Sequence, residues 1–235
     1  MYKKRTWKAG DYLVVRKNHS GRYPKGNRRP KANPTAETVQ RQNEKQRAER
    51  LQLLIMANFV PGDLFVDLTY TRDTRPEDMA EAKKELAKFM RKLRAWAQKK
   101  GQELKWIAAT ERGSRGGCHH HLLVNHIPGI SQAISELWEK GHAKLQHLYA
   151  DGAYEQLAEY IGKASTKEEA FGTRYTRSRN LIVPPEKVEI VKASTFAEEP
   201  KAPAGYVLLK DTITNGINPA TGYPYQRYVC RRAKE

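Results

Sequence analysis

The chain has 235 residues, of which 39% are hydrophobic and 29% charged, and its 43 Lys/Arg against 26 Asp/Glu give a formal net charge of +17. No apolar run approaches membrane-spanning length and two cysteines cannot staple a fold, so a membrane bundle and a disulfide scaffold are excluded. The charge excess predicts affinity for polyanions and says nothing about fold.

The excess is uneven: residues 1–50 hold 15 Lys/Arg against 4 Asp/Glu, a net of +11. Lys3-Lys4-Arg5 are followed by no apolar stretch, so no signal peptide is expected and the location is read as cytoplasmic. Residues 1–61 are read as a basic N-terminal arm. In it Tyr12–Val15 is a possible strand, 17–34 a flexible basic segment, and Thr35 to about Met56 a polar helix.

A patterned core follows over 62–183. Asp63–Thr71 is rich in β-branched and aromatic residues and reads as a strand. Pro76 is expected to open a helix ending at Lys99-Lys100, with Leu86, Phe89, Met90, Leu93 and Trp96-Ala97 at helical spacing. Strands are expected near 103–111 and 118–125. Next come a short helix capped by Ser131, a strand at 142–149, and a helix capped by Asp151 that bears Tyr160. This βαββαβα order predicts an α+β domain, with helices packed on an antiparallel sheet in a ferredoxin-like, split βαβ layout. Residues 184–204 read as a linker. Residues 205–235 read as a C-terminal hairpin, its strands at Tyr206–Asp211 and Tyr223–Cys230 flanking Asn215-Gly216.

Two short stretches carry chemistry. On a strand, His119 and His121 point one way while Cys118 and His120 point the other. Two imidazoles on one face, with a carboxylate from the neighbouring strand, would make a mixed nitrogen and oxygen metal site. Glu111 precedes the histidines and His126 is the fallback third ligand. No Cys-x-x-Cys accompanies them, so a zinc finger is excluded, and Cys118 reads as a small buried strand residue. On the last core helix Tyr154, Leu157, Ala158 and Ile161 form an apolar stripe. Tyr160 and Lys163 lie off it, on one shared face. A bland reading, an exposed tyrosine beside a solvated lysine, is common for such a pair in isolation. Gly162-Lys163 is not a phosphate loop, because Leu157 stands where the first glycine belongs.

Taken in order, Phe65-Val66-Asp67-Leu68-Thr69-Tyr70, His119-His120-His121 and Tyr160-Ile161-Gly162-Lys163 resemble the three motifs of the HUH endonuclease superfamily. The likeness is to its rolling-circle replication initiators (Rep-type). Glu111 stands where many members keep an acidic ligand, and Leu137-Trp138-Glu139-Lys140-Gly141-His142 also resembles the family. The resemblance covers about residues 62–183. Two departures stand out: His120 replaces the usual bulky hydrophobe, and Gln156 stands where some phage initiators carry a second tyrosine.

The resemblance implies an HUH-type nuclease domain that nicks and rejoins single-stranded DNA through a 5′-phosphotyrosine link, initiating rolling-circle replication. It implies a tyrosine nucleophile at Tyr160 assisted by Lys163, with Glu111, His119 and His121 holding Mg²⁺ or Mn²⁺. Candidate DNA-binding side chains are Arg112, Arg115, Arg174, Arg177, Arg179, Lys25, Arg28 and Arg29. Expected partners are single-stranded DNA or an origin hairpin and a separate host helicase and polymerase, with no membrane. Two competitors stand beside this reading. One is a single-tyrosine transposase of the same superfamily. The other is a non-catalytic ferredoxin-like nucleic-acid-binding module, whose mark would be exposed aromatics on the central strands.

Overall fold

The computed structural model describes residues 1–19, 35–113, 116–149, 151–163, 175–218 and 221–233. In chain order the elements are β1 (Tyr2–Ala9), β2 (Tyr12–His19), α1 (Ala36–Asn58), β3 (Leu64–Thr69), α2 (Met79–Lys99), β4 (Trp106–Arg112), β5 (Cys118–Val124), α3 (Ile130–Leu137), β6 (Ala143–His147), a 3₁₀ turn (Asp151–Tyr154), α4 (Glu155–Lys163), β7 (Thr176–Arg177), β8 (Glu186–Val191), β9 (Tyr206–Ile217) and β10 (Pro224–Arg232). The protein is α+β, with two five-stranded antiparallel sheets among the described residues. The chain divides into two units: 1–58, 151–155 and 182–235 form one, and 59–150 and 156–181 the other.

In the second unit the strand order is β6-β3-β5-β4-β7. β5 pairs with both β3 and β4, and β3 with β6, all antiparallel. The connections β3–α2–β4 and β5–α3–β6 therefore each skip one strand, which is a pair of interleaved split βαβ units. One face of this sheet is packed. Leu64, Val66 and Leu68 of β3, Trp106 and Ala108 of β4, and Leu122 and Val124 of β5 form a single cluster. Leu86, Phe89, Met90 and Leu93 of α2 and Ile130, Ala133 and Ile134 of α3 complete it. Period two on the strands meets period 3.6 on the helices. A Leu122→Ala change would cost about 2–5 kcal/mol through lost burial and the cavity left behind.

α2 begins three residues later than the position of Pro76 suggests. Asp78 is the cap, its carboxylate accepting from the Glu81 amide at 2.7 Å, and the Glu81 carboxylate accepts from the Glu77 amide at 2.8 Å. This reciprocal box satisfies two amides that the helix itself leaves orphaned. Ser131 does not cap α3. Gly129, at φ 83°, precedes it instead. After α3, Gly141 passes so close to the Thr69 carbonyl that any Cβ there would overlap it.

The other unit holds the order β8-β1-β2-β10-β9. Its first hairpin is longer than the short strand expected at Tyr12–Val15, because Tyr2, Ala9, Tyr12, Val14 and Val15 all bury. β8 lies inside the stretch expected as a linker and pairs with β1 from Tyr2↔Val191 to Trp7↔Glu186. Asn215-Gly216 is not the hairpin turn. Both residues sit within β9, opposite Gln226 and Tyr225. The turn falls after them, where the Asn218 amide donates to the Tyr223 carbonyl at 2.8 Å. A side chain at Gly216 would collide with the Tyr225 ring, and this explains a glycine inside a strand.

No helix among the described residues is long and apolar enough to cross a membrane.

Candidate metal centre and nucleophile

The sheet face opposite α2 and α3 carries the polar chemistry of the second unit. β5 lies between β3 and β4, so its alternate residues meet partners on both sides. Glu111 pairs in register with His119, Ala109 with His121, and Asp67 with His121. The positions of Glu111, His119, His121 and Asp67 bring two imidazoles and two carboxylates onto one face.

The donor atoms of Glu111, His119 and His121 all lie within 4.8 Å of one another. The Glu111 carboxylate bonds His119 Nε2 and lies 3.2 Å from His121 Nε2. His121 is nearly inaccessible, its side chain 2% exposed, while Glu111 and His119 are each 24% exposed. The ligand set is therefore open to one side and walled on the other. One carboxylate and two imidazoles converging in this way suit a divalent cation with open coordination positions for water or phosphate oxygens. Gly113 contributes by having no side chain, since a Cβ there would press on the His119 ring at 3.3 Å.

Asp67 is a site residue to which the sequence expectation assigns no role. Its Oδ1 lies 2.6 Å from His121 Nδ1, on the side of the ring away from Glu111. A carboxylate in that position fixes the tautomer and leaves Nε2 for a ligand. A signal for it exists: Asp67 is a charged residue at an alternating position of an otherwise apolar strand. Phe65, two residues earlier, stacks on His121 with rings 7° from parallel and centroids 5.9 Å apart.

Tyr160 meets this face from α4. Ala158 and Ile161 are fully buried, whereas Tyr160 is 46% exposed, as the helical stripe predicts. Its hydroxyl lies 3.4 Å from His121 Nε2, and its ring packs edge-on to His121 at 4.7 Å. Burial, then the charges of Asp67 and Glu111, raise the Tyr160 pKa above its ordinary value of 10.0. The protein alone thus opposes the phenolate, and positive charge at the ligand cluster would relieve that opposition. His121 shifts differently. Burial favours its neutral form, but the hydrogen bonds and charges of Asp67 and Glu111 outweigh burial, and its pKa is raised.

His120 faces the core, as strand alternation requires, and is fully buried. Its ring nitrogens meet the hydroxyls of Thr110 at 2.8 Å and Tyr70 at 2.7 Å. Burial, with His119 and His121 nearby, pushes its pKa down to about 3. It is a satisfied neutral core histidine and takes no part in the ligand cluster. His126 stands beyond the end of β5 and outside the cluster, its amide bonded to Asp63.

The predicted DNA-binding residues scatter. Arg112 ends β4 and donates to the Glu77 carbonyl at 3.3 Å. Arg177 lies in β7 and Arg179 just after it, both exposed. Arg115, Arg174, Lys25, Arg28 and Arg29 lie outside the described residues, and Lys163 closes α4 with its side chain likewise outside them.

Residues 63–165 match the family model for replication-associated proteins that is named for ORF2 and the gene II protein, a family of rolling-circle replication initiators. The matched span runs from the start of β3 past the end of α4, and so includes Asp67, Glu111, His119, His121 and Tyr160. No curated protein and no solved structure matches the chain.

Proposed function

We propose that this replication-associated chain is a metal-dependent nickase and ligase of single-stranded DNA, built on a ferredoxin-like HUH-type domain and starting rolling-circle replication. The observation that carries the reading is the convergence of Tyr160 with the Glu111, His119 and His121 cluster on one sheet face. The initiator family match supports it.

Glu111, His119 and His121 hold a divalent cation, Mg²⁺ or Mn²⁺. That cation, when bound, supplies positive charge to the scissile phosphate and its transition state. Tyr160 Oη attacks phosphorus, the phenol proton passes to solvent, and the bond from phosphorus to the 3′ oxygen breaks. The leaving oxygen takes up a proton to become a free 3′-OH that can prime synthesis. The 5′ phosphate remains on Tyr160 as a phosphodiester, which preserves the bond energy for rejoining. Lys163, one helical turn on from Tyr160, steadies the developing negative charge. Asp67 and Phe65 hold the His121 ring from two sides.

The test is a covalent adduct. Wild-type protein incubated with Mn²⁺ and single-stranded origin-like oligonucleotides should form one, with mass spectrometry placing it on Tyr160. Tyr160→Phe should fold normally and form none. An adduct on another tyrosine, such as the exposed Tyr149, would sink the assignment.

A further inference from the structure

We propose that the cleft between the C-terminal half of α2 and the β7 edge is a second nucleic-acid site, gripping the DNA backbone away from the cleaved phosphate. The inference rests on the nuclease reading above and adds a surface to it.

The cleft has a volume of about 560 Å³ and is lined on one wall by Arg94 and Gln98 and on the other by Arg177, Ser178, Arg179 and Asn180. Gln102, Glu103 and Leu104 form its floor. Three guanidinium groups thus face one carboxylate. Among the described residues, Arg94, Arg177 and Arg179 have no ion-pair or hydrogen-bond partner, although surface carboxylates engage Lys88, Lys92 and Lys140 elsewhere in this unit. Three unpaired guanidiniums side by side repel one another. Such a grouping is favourable chiefly when an anion with several oxygens lies between them.

The walls are rigid, so the arginines are presented rather than merely adjacent. The Ser178 hydroxyl accepts from the Trp106 amide at 3.1 Å, the Ser178 amide donates to the Trp106 carbonyl at 3.0 Å, and Asn180 donates to the Leu104 carbonyl at 3.3 Å. On the other wall the end of α2 is closed by the Lys100 and Gly101 amides, which cover the Ala97 and Gln98 carbonyls. The exposed carbonyls that would repel an anion there are therefore occupied. Arg91, one turn before Arg94 and also exposed, extends the positive track along the helix.

Position points to backbone rather than to a small anion. β7 pairs with Ile107 and Ala108 of β4, the strand that carries Glu111. From Ile107 to Glu111 along an extended strand is about 13 Å, which is the axial length of roughly four base pairs. A strand held at the metal centre can reach the cleft, and neighbouring phosphates of that strand supply anions at the spacing of the arginines. The chemistry recognised is the phosphodiester chain, with no base readout.

The test uses the full chain with chelator present, so that nothing is cleaved. Arg94→Gln/Arg177→Gln/Arg179→Gln is compared with Lys192→Gln/Lys201→Gln/Lys210→Gln, which removes equal charge from the other unit. Binding of a fluorescent single strand, and of the same strand annealed to its complement, is followed by anisotropy across a salt series. The cleft variant should flatten the slope of log K against log salt by about 2 for three single-strand contacts at ~0.7 each, and by more than the control does. Its melting temperature should be unchanged, because the replaced groups are exposed and unpaired. Should the triple variant fail to fold, the Arg94→Gln and Arg179→Gln single variants should each flatten the slope by about 0.7. A slope equal to wild type, or a change no larger than the control's, overturns the proposal. Adduct formation with an unchanged slope would reject the cleft alone. Salt-dependent binding at the cleft with no adduct would reject the nuclease reading and leave the cleft standing.

Discussion

Asp67 accepts a hydrogen bond from His121 Nδ1 at 2.6 Å, while His121 Nε2 faces Glu111 at 3.2 Å and Tyr160 at 3.4 Å. One imidazole therefore connects a carboxylate behind it to the ligand cluster and the nucleophile in front. The sheet enforces this, because Asp67 and His121 are register partners on adjacent strands.

Removing that carboxylate should loosen the ligand without removing it. Asp67→Ala should weaken Mn²⁺ binding by about 10–100-fold, the usual cost of losing a partner that orients a metal-bound histidine. Isothermal titration reads this directly, without DNA. Glu111→Ala, which removes a ligand, should cost more. Equal affinity in Asp67→Ala and wild type would show that the His121 ring is held well enough by Phe65 stacking alone.

The family's usual bulky hydrophobe at position 120, on the core side of the strand, predicts that His120 tolerates leucine. The structure changes that expectation. Leucine would leave the hydroxyls of Thr110 and Tyr70 without their imidazole partner in a buried site. Each such loss costs about 1–3 kcal/mol, with Tyr70 retaining a fallback in the Ala82 carbonyl at 3.5 Å. We expect His120→Leu to lose about 2–4 kcal/mol in urea unfolding, yet to form the Tyr160 adduct at low temperature, because the ligand cluster lies on the other face. Unchanged stability would mean that the two hydroxyls re-pair locally.

The two buried histidines should also separate by pH in metal-free protein. His120 titrates near 3 when folded and near 6.5 when unfolded. Below pH 6.5 the unfolded chain takes up the proton first, so stability should fall as pH drops from about 6.5 toward 3, by up to about 1.4 kcal/mol per unit. His121 is raised in the folded state. Its contribution is fully present below 6.5 and is lost as pH rises through the folded value, so the two windows do not overlap. Chelated wild-type protein should therefore lose stability between pH 6 and 5, and His120→Asn should lose markedly less there. Parallel slopes in the two proteins would refute the assignment.

The second unit was largely legible because its rules are local. The period of two in β5 sorted His119 and His121 from His120, and the helical stripe of α4 put Tyr160 outside. What the sequence concealed depended on pairing between distant strands. Asp67 gains its role only from register with His121, 54 residues away. β8 forms only because β1 offers it an edge, and nothing in its Lys- and Glu-rich sequence announces a strand. Asn215-Gly216 has the composition of a turn, yet β9 runs through it, since Tyr225 on β10 covers the glycine and the register continues to Ile217.

The same long-range pairing alters the expectation for the N-terminal arm, whose charge alone predicts an accessory that adds DNA affinity. Residues 2–19 are instead two of five strands in a sheet, and β2 joins β1 to β10 at its centre. Their basic side chains are partly committed. Lys4 meets Glu189 at 3.4 Å, Arg5 meets Glu186 at 3.2 Å and Arg16 meets Glu49 at 3.0 Å. Deleting residues 1–34 should therefore unfold this unit. Burial of Tyr12, Val14 and Val15 alone is worth about 1.5–3 kcal/mol per side chain, and the unit would also lose the strands between β8 and β10. Circular dichroism and limited proteolysis should show this as lost strand signal and cleavage within 184–233. The charge role can be tested apart from the fold by Lys25→Gln/Arg28→Gln/Arg29→Gln in the full chain. If these groups meet phosphates, the salt slope on a single strand should flatten by about 2, with the melting temperature unchanged. A truncated protein that melts like wild type would return the arm to the accessory role. An unchanged slope in the triple substitution would remove these three residues from the DNA contact.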